Sequence, residues 1–153
     1  MDTDGGLSRR LFGSFLTWLQ EKSPEVFVVA TANDISQLPP ELLRKGRFDE
    51  IFFVDLPDAQ DRATILAIHL NRHHQTPASF DLASLVAATE GFSGAEIQQI
   101  IVSALYQSLH EQCSIDTELL VRTVKATVPL SISRREDIQR LRCMATDRFV
   151  QAK

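Results

Sequence analysis

The stretch 26–57, VFVVATANDISQLPPELLRKGRFDEIFFVDLP, constrains the rest of the chain more than any other. Residues 26–30 form a continuous apolar, β-branched run, the pattern of a strand covered on both faces. The run stops at Thr31, Ala32, Asn33 and Asp34, which puts polar groups just past a strand's carboxyl end. Open α/β sheets bind their ligands there. Pro39 and Pro40 suit a helix start, because a first-turn proline forfeits no hydrogen bond. Residues 41–45 then supply about one turn, and Gly46 can take the left-handed stop. Residues 51–54, IFFV, read as a second apolar strand closed by Asp55, Leu56 and Pro57. Two buried-type strands joined through a helix predict a parallel, right-handed crossover.

Upstream, residues 7–22 predict a helix with Leu11, Phe12, Phe15, Leu16 and Leu19 on one stripe, ended by Pro24. Downstream of Pro57 the pattern is helical and shows no further strand. Asp58 can cap a helix to about Arg72, and Asp81 a short one that stops at Gly91. Ser93 and Glu96 form a capping box for the clearest helix, whose stripe is Ile97, Ile100, Ile101, Ala104 and Leu105. Asp116 opens another helix, which Pro129 ends. Ser133 with Glu136 predicts a second capping box for a last helix carrying Ile138, Leu141, Ala145 and Phe149. The expected fold class is therefore α/β plus all-α, divided at 1–57, 58–127 and 128–153.

Composition narrows the function. At 153 residues the chain has room for one ordinary domain or two small ones. A net charge of −4 gives no overall basic field, and the arginines 134, 135, 140, 142 and 148 lack interleaved aromatics, so no nucleic-acid partner is expected. No apolar run approaches the roughly 20 residues of a membrane helix, and the acidic, glycine-containing start is no secretory signal. Cys113 and Cys143 make no metal spacing, and His73-His74 lacks a helical i, i+4 ligand partner, so no metal site is expected. Free thiols point to a reducing compartment. Two strands alone cannot cover two continuous apolar faces, so partner strands are expected from elsewhere.

Four segments in order, VFVVATAND, LPPELLRKGRFDEIFFVDLPD, RATILAIH and GFSGAEI, resemble the second half of an AAA+ ATPase module of the AAA subgroup. The chain is similar in particular to the plastid-reading-frame AAA proteins of photosynthetic lineages, and the resemblance extends over about residues 7–145. It implies the C-terminal part of a P-loop NTPase core with parallel strands, followed by a helical lid. It further implies assembly as a homo-oligomeric, usually hexameric, ring and ATP-driven remodelling of protein substrates, in the cytoplasm or plastid stroma.

On this resemblance Asn33 matches sensor 1, a polar amide at a strand tip that orients water against the γ-phosphate or reports its presence. Its local alternative is an Asx turn leaving a strand. Arg44 and Arg47 match the arginine finger and its companion, which act on a neighbouring subunit's nucleotide. Their local alternative is a basic helix end that offsets the helix dipole. His69 matches a lid histidine near the adenine or ribose, its alternative being a structural histidine on an amphipathic helix. Gly94 and Ala95 match the second lid contact, where small residues let adenine approach the backbone. The Ser93–Glu96 box explains that helix start without any ligand. Ala95 stands where many AAA+ proteins carry a sensor-2 arginine.

The departures are equally definite. The 153 residues contain no G-x-x-x-x-G-K-[ST] (Walker A), and no apolar strand ending in Asp-Glu (Walker B). Asp49-Glu50 precedes IFFV, and Leu56 follows Asp55, so the Mg2+ ligands of the complete module are not among these residues. The opening Asp4-Gly5-Gly6-Leu7-Ser8 resembles the loop that follows the acidic motif, an expectation of an N-terminally truncated module. An alternative of another class is a non-catalytic interaction module that joins rings of full-length AAA ATPases. A remnant without function is a third.

Overall fold

The computed structural model describes residues 3–33, 35, 38–44, 46–146 and 149–151, with side chains from residue 10 to residue 150. Asp34, Lys45 and Arg148, used above, lie outside the described residues. The chain divides into two compact units, 1–51 and 52–153.

The first unit opens on helix α1, Thr3–Glu21. It starts four residues earlier than expected, so Asp4 to Ser8 are helical rather than a loop. Local propensity gives no reason for this, since Gly5 and Gly6 are poor helix formers. Phe12, Phe15 and Leu16 are half-buried and Leu19 is buried, as the stripe predicts, whereas Leu11 is exposed. Phe15 and Trp18 stack at 5.9 Å between ring centroids. The chain then turns at Ser23, whose carbonyl accepts from the Val26 N–H at 3.0 Å, and Lys22 Nζ donates to the Val26 carbonyl at 3.0 Å.

Residues 26–30 correct an expectation: they are not in a strand. Phe27 is 89% exposed and Val29 77%. A run built to be covered on both faces has no ladder without neighbouring strands, whatever its β-propensity. A 3-10 turn, Pro40–Leu43, follows where the two prolines predicted a helix start, with Leu42 buried.

The second unit opens on strand β1, Phe52–Phe53. Helices α2 (Ala59–Arg72), α3 (Leu82–Ala88), α4 (Gly94–Glu111) and α5 (Thr117–Lys125) follow. Their starts are those written in the sequence. Asp58 and Asp61 complete a capping box, Asp81 accepts from the Ser84 N–H, Ser93 and Glu96 complete a second box, and Asp116 accepts from the Leu119 N–H. The Asp81 carboxyl is held below its ordinary pKa by the Ser84 hydroxyl and backbone N–H that it accepts from. These helices enclose one core of Leu66, Leu70, Leu85, Ile97, Ile101 and Leu120 with their neighbours. Fully burying each such side chain contributes about 1.5–3 kcal/mol.

The end of the chain departs from the single expected helix. Pro129 starts a short helix α6, Leu130–Ser133, and α7 runs Arg135–Thr146. Ser133 therefore closes a helix instead of capping one: its hydroxyl donates to the Pro129 carbonyl at 3.3 Å. Phe149 lies beyond α7, and Val150–Gln151 form a strand β2, which pairs in parallel with β1, Phe52 opposite Val150 and Phe53 opposite Gln151. The helical pattern after Pro57 does not predict this strand. Among the described residues, β1 and β2 make the only sheet.

Candidate functional site

Arg44 sits at the end of the 3-10 turn with extended backbone, φ −74° and ψ 141°, and is exposed. The Arg47 N–H donates to the Arg44 carbonyl at 3.3 Å, so the two arginines bracket one tight turn. Gly46 holds φ +92° inside it, a left-handed value that glycine adopts without cost. The turn thus presents Arg44 outward and keeps the half-buried Arg47 beside it. Asn33 is exposed in a bend a few residues past the unpaired 26–30 run. These three residues belong to the first unit.

His69, Gly94 and Ala95 belong to the second. Ile65 precedes His69 by four residues and shares its helix face. A Cβ built at Gly94 would stand 3.5 Å from Ile65 Cδ1, so the start of α4 lies against that face. A methyl at that distance makes an ordinary contact, and Gly94 needs no left-handed backbone. Packing within this unit therefore gives no reason for glycine there. Ala95 is exposed beside it.

His69 is half-buried, yet its Nδ1 is fully buried and has no hydrogen-bond partner among the described residues. Burial, then the nearby charge of Arg72 and of His73, holds the imidazole below its ordinary pKa. The ring is therefore biased toward its neutral form. An orphaned buried polar atom costs about 1–3 kcal/mol.

Three further side chains, Glu96, Arg62 and Arg142, fix this unit, and of these the sequence pattern had not marked Arg62. Glu96 does more than close its box. Its Oε2 accepts from the Ser93 N–H at 2.8 Å and hydroxyl at 2.7 Å, while Oε1 accepts from the Leu130 N–H at 2.8 Å. One carboxylate thus caps α4 and the first turn of α6. Glu96→Ala is expected to lower the unfolding free energy of the chain by about 2 kcal/mol. Chemical denaturation measures this, and a loss under about 0.5 kcal/mol would refute the double cap.

Arg62 is buried and reaches backbone rather than a carboxylate. Nη1 donates to the Pro57 carbonyl at 3.0 Å, and Nε and Nη2 to the Val86 carbonyl at 3.3 and 3.2 Å. Val86 lies in the last turn of α3, whose carbonyls lack helical partners, so a guanidinium satisfies them well. Arg142 of α7 forks onto Asp55 with contacts of 2.8–3.0 Å, and this bonding raises the arginine pKa. A cleft of about 510 Å³ lies between the 56–57 segment and α7, lined also by Gly91, Ser131 and Arg135. None of the sequence-predicted site residues lines it. Cys113 and Cys143 are free and exposed, and no cluster of metal-ligating side chains is present among the described residues. Among those residues, no helix is long and apolar enough to cross a membrane.

Two family models match in order along the chain. The AAA model (ATPase family associated with various cellular activities) matches residues 2–56, and the AAA+ lid domain model matches 79–119. The chain belongs to the AAA+ family. Within that family it is 45% identical over 145 residues to the uncharacterized AAA domain-containing protein ycf46 of Pyropia yezoensis, covering 94% of this chain and 30% of that protein. The ycf46 protein of Guillardia theta is 43% identical over 141 residues, covering 92% and 28%. A proteasome-activating nucleotidase of Aeropyrum pernix is 37% identical over 92 residues, covering 60% and 22%. The chain thus spans about 30% of the length of the ycf46 relatives it matches. The AAA+ lid match falls on α3 and α4 and reaches the start of α5, and the AAA match takes in the whole arginine turn.

Proposed function

We propose that these 153 residues supply sensor 1, the arginine finger and the lid of an AAA+ ATPase that couples ATP binding and hydrolysis to protein remodelling. The observation that carries this reading is the order of the two family matches, core before lid, which take in Asn33, Arg44, Arg47, Gly94 and Ala95, while His69 lies between them. Residues 1–57 are the partial core, 58–127 the lid and 128–153 a terminal segment. Asn33 senses the γ-phosphate of its own subunit's nucleotide. Arg44 and Arg47 act on a neighbour's nucleotide in a homo-oligomeric ring, and the exposure of Arg44 on its glycine turn suits delivery across an interface. The cytoplasm or plastid stroma is the compartment.

His69, Gly94 and Ala95 receive the adenine and ribose. A glycine with no packing reason to be glycine fits close approach of a flat base. The inward, unpartnered Nδ1 leaves only the other edge of the His69 ring for that contact. When bound, ATP with Mg2+ supplies the transferable phosphoryl group and part of the charge that neutralises it. Nothing in these 153 residues matches the loop that cradles the β- and γ-phosphates, so the residues here fit the base end of the nucleotide only. The purified 153-residue chain is expected to release no phosphate from ATP above a protein-free control, and turnover above that control would refute the assignment.

A second reading is favoured by residues 26–30, apolar and outside any strand. In it the chain is a non-catalytic module that joins rings of full-length AAA ATPases. Co-purification with a full-length relative, together with a change in that relative's turnover, supports it; a chain that stays apart from such rings counts against it.

A further inference from the structure

The C-terminal segment is attached to β1 by polar contacts rather than by a core. In α7 only Ala145 is buried. The β1–β2 ladder is two residues long, and ladders this small are marginal in water. The Asp55–Arg142 fork joins positions 87 residues apart, and both partners are more than a third exposed. Beside them the open cleft takes the place of side-chain packing, with Leu56 and Pro57 on one wall and Ile138 and Gln139 on the other. By contrast, α2 to α5 share a continuous apolar core. Segments with few buried apolar contacts open at free energies well below that of the whole unit.

We propose that α7 and β2 form a detachable clasp that masks one edge of β1 and is fastened by the Asp55–Arg142 fork. Closed, it pairs the backbone of Phe52 and Phe53 with the chain's own Val150 and Gln151. Open, it leaves that strand edge unpaired, the exposure that sheet edges are otherwise protected against. Phe52 is 59% exposed even with the clasp closed, so the released strand is apolar as well as unpaired. The fork sets how often it opens, because among the described residues it is the contact between the two segments that combines charge with two-pronged geometry.

Amide hydrogen exchange of the 153-residue chain tests this. Arg142→Gln and Asp55→Asn are each expected to raise exchange at residues 52–53 and 150–151 about fivefold, the effect of losing a partly exposed ion pair. Amides of Leu66, Ile97 and Ile101 should keep their protection. The charge swap Asp55→Arg with Arg142→Asp should restore slow exchange. Raising salt toward 1 M should mimic Arg142→Gln in the native chain and add little in that variant, since salt screens such a pair. Unprotected 52–53 amides in the native chain would overturn the proposal. So would unchanged exchange in both single variants, or a rise that spreads equally to the Leu66, Ile97 and Ile101 amides.

Discussion

Arg44→Ala, in a complete module that joins these residues to a phosphate-binding loop, is expected to lower kcat by about a thousandfold. Arginine fingers contribute at least that much in phosphoryl-transfer enzymes, because a guanidinium fork meets charge that spreads over the transferred oxygens only in the transition state. Nucleotide affinity of the mutated subunit should change little if, as proposed, Arg44 serves the neighbour. Arg44→Lys should recover little of the rate, because an ammonium offers a point charge in place of a planar fork. Arg47→Ala should cost less, its side chain being half-buried at the other end of the turn. Mixed rings separate the roles. Subunits carrying Arg44→Ala but an intact phosphate loop should regain turnover when interleaved with chains that carry Arg44 and no phosphate loop. The 153-residue chain itself is such a partner. Unchanged kcat in Arg44→Ala, or a loss confined to nucleotide affinity, would return this turn to its local reading as a basic helix end.

Helix starts in the second unit were legible because each is a local event. Asp58, Asp81, Ser93 with Glu96, and Asp116 cap their own helices within three residues, and such side chains name their partners in the sequence. The apolar stripe of α4 was legible for the same reason: Ile97, Ile100, Ile101 and Ala104 follow the helical period and are all buried. The arginine turn was legible through Gly46, whose positive φ is the conformation its residue type invites.

What escaped involves partners far along the chain or outside it. Residues 26–30 have strand composition, but a ladder needs neighbours, and composition alone does not supply them. Ser133 and Glu136 have the spacing of a capping box. Pro129, four residues earlier, had already started a helix, so Ser133 was spent at its end. β2 is two residues long, too short for any alternation to register. The second lobe of Glu96 and the reach of Arg62 to Val86 cross 34 and 24 residues. No local spacing rule reports such distances. Asn33, Arg44, Arg47, His69, Gly94 and Ala95 were readable only through the ordered combination of motifs, since each has an ordinary structural explanation when taken alone.

Gly91→Ala is expected to destabilise the second unit by about 2–4 kcal/mol, on the order of 15 °C in Tm for a unit of about 100 residues. Two independent costs add. Gly91 holds φ +79°, where a side chain costs about 1–2 kcal/mol. A Cβ at Gly91 would also run into Ser131 Oγ and stand 3.2 Å from Ser131 Cβ, so the hydroxyl must rotate away and Ser131 must shift slightly. Overpacking relieved largely by a rotating hydroxyl falls at the low end of its usual range, about 1–2 kcal/mol. The sequence marked Gly91 as a helix stop and so accounted for the backbone cost alone; the steric cost exists because α6 folds back onto the turn that leads into α4. Glu96 helps hold α6 there through the Leu130 N–H, so the cap and the glycine act on the same junction. A double-mutant cycle divides the two costs. Ser131→Gly removes the steric partner but leaves the backbone strain, so Gly91→Ala should cost only about 1–2 kcal/mol in that background, with a coupling of roughly 1–2 kcal/mol. Additivity within about 0.5 kcal/mol would mean that Ser131 does not press on this turn. A Gly91→Ala variant as stable as the native chain would mean the turn relaxes out of its left-handed conformation without cost, and the placement of α6 against it would then be wrong.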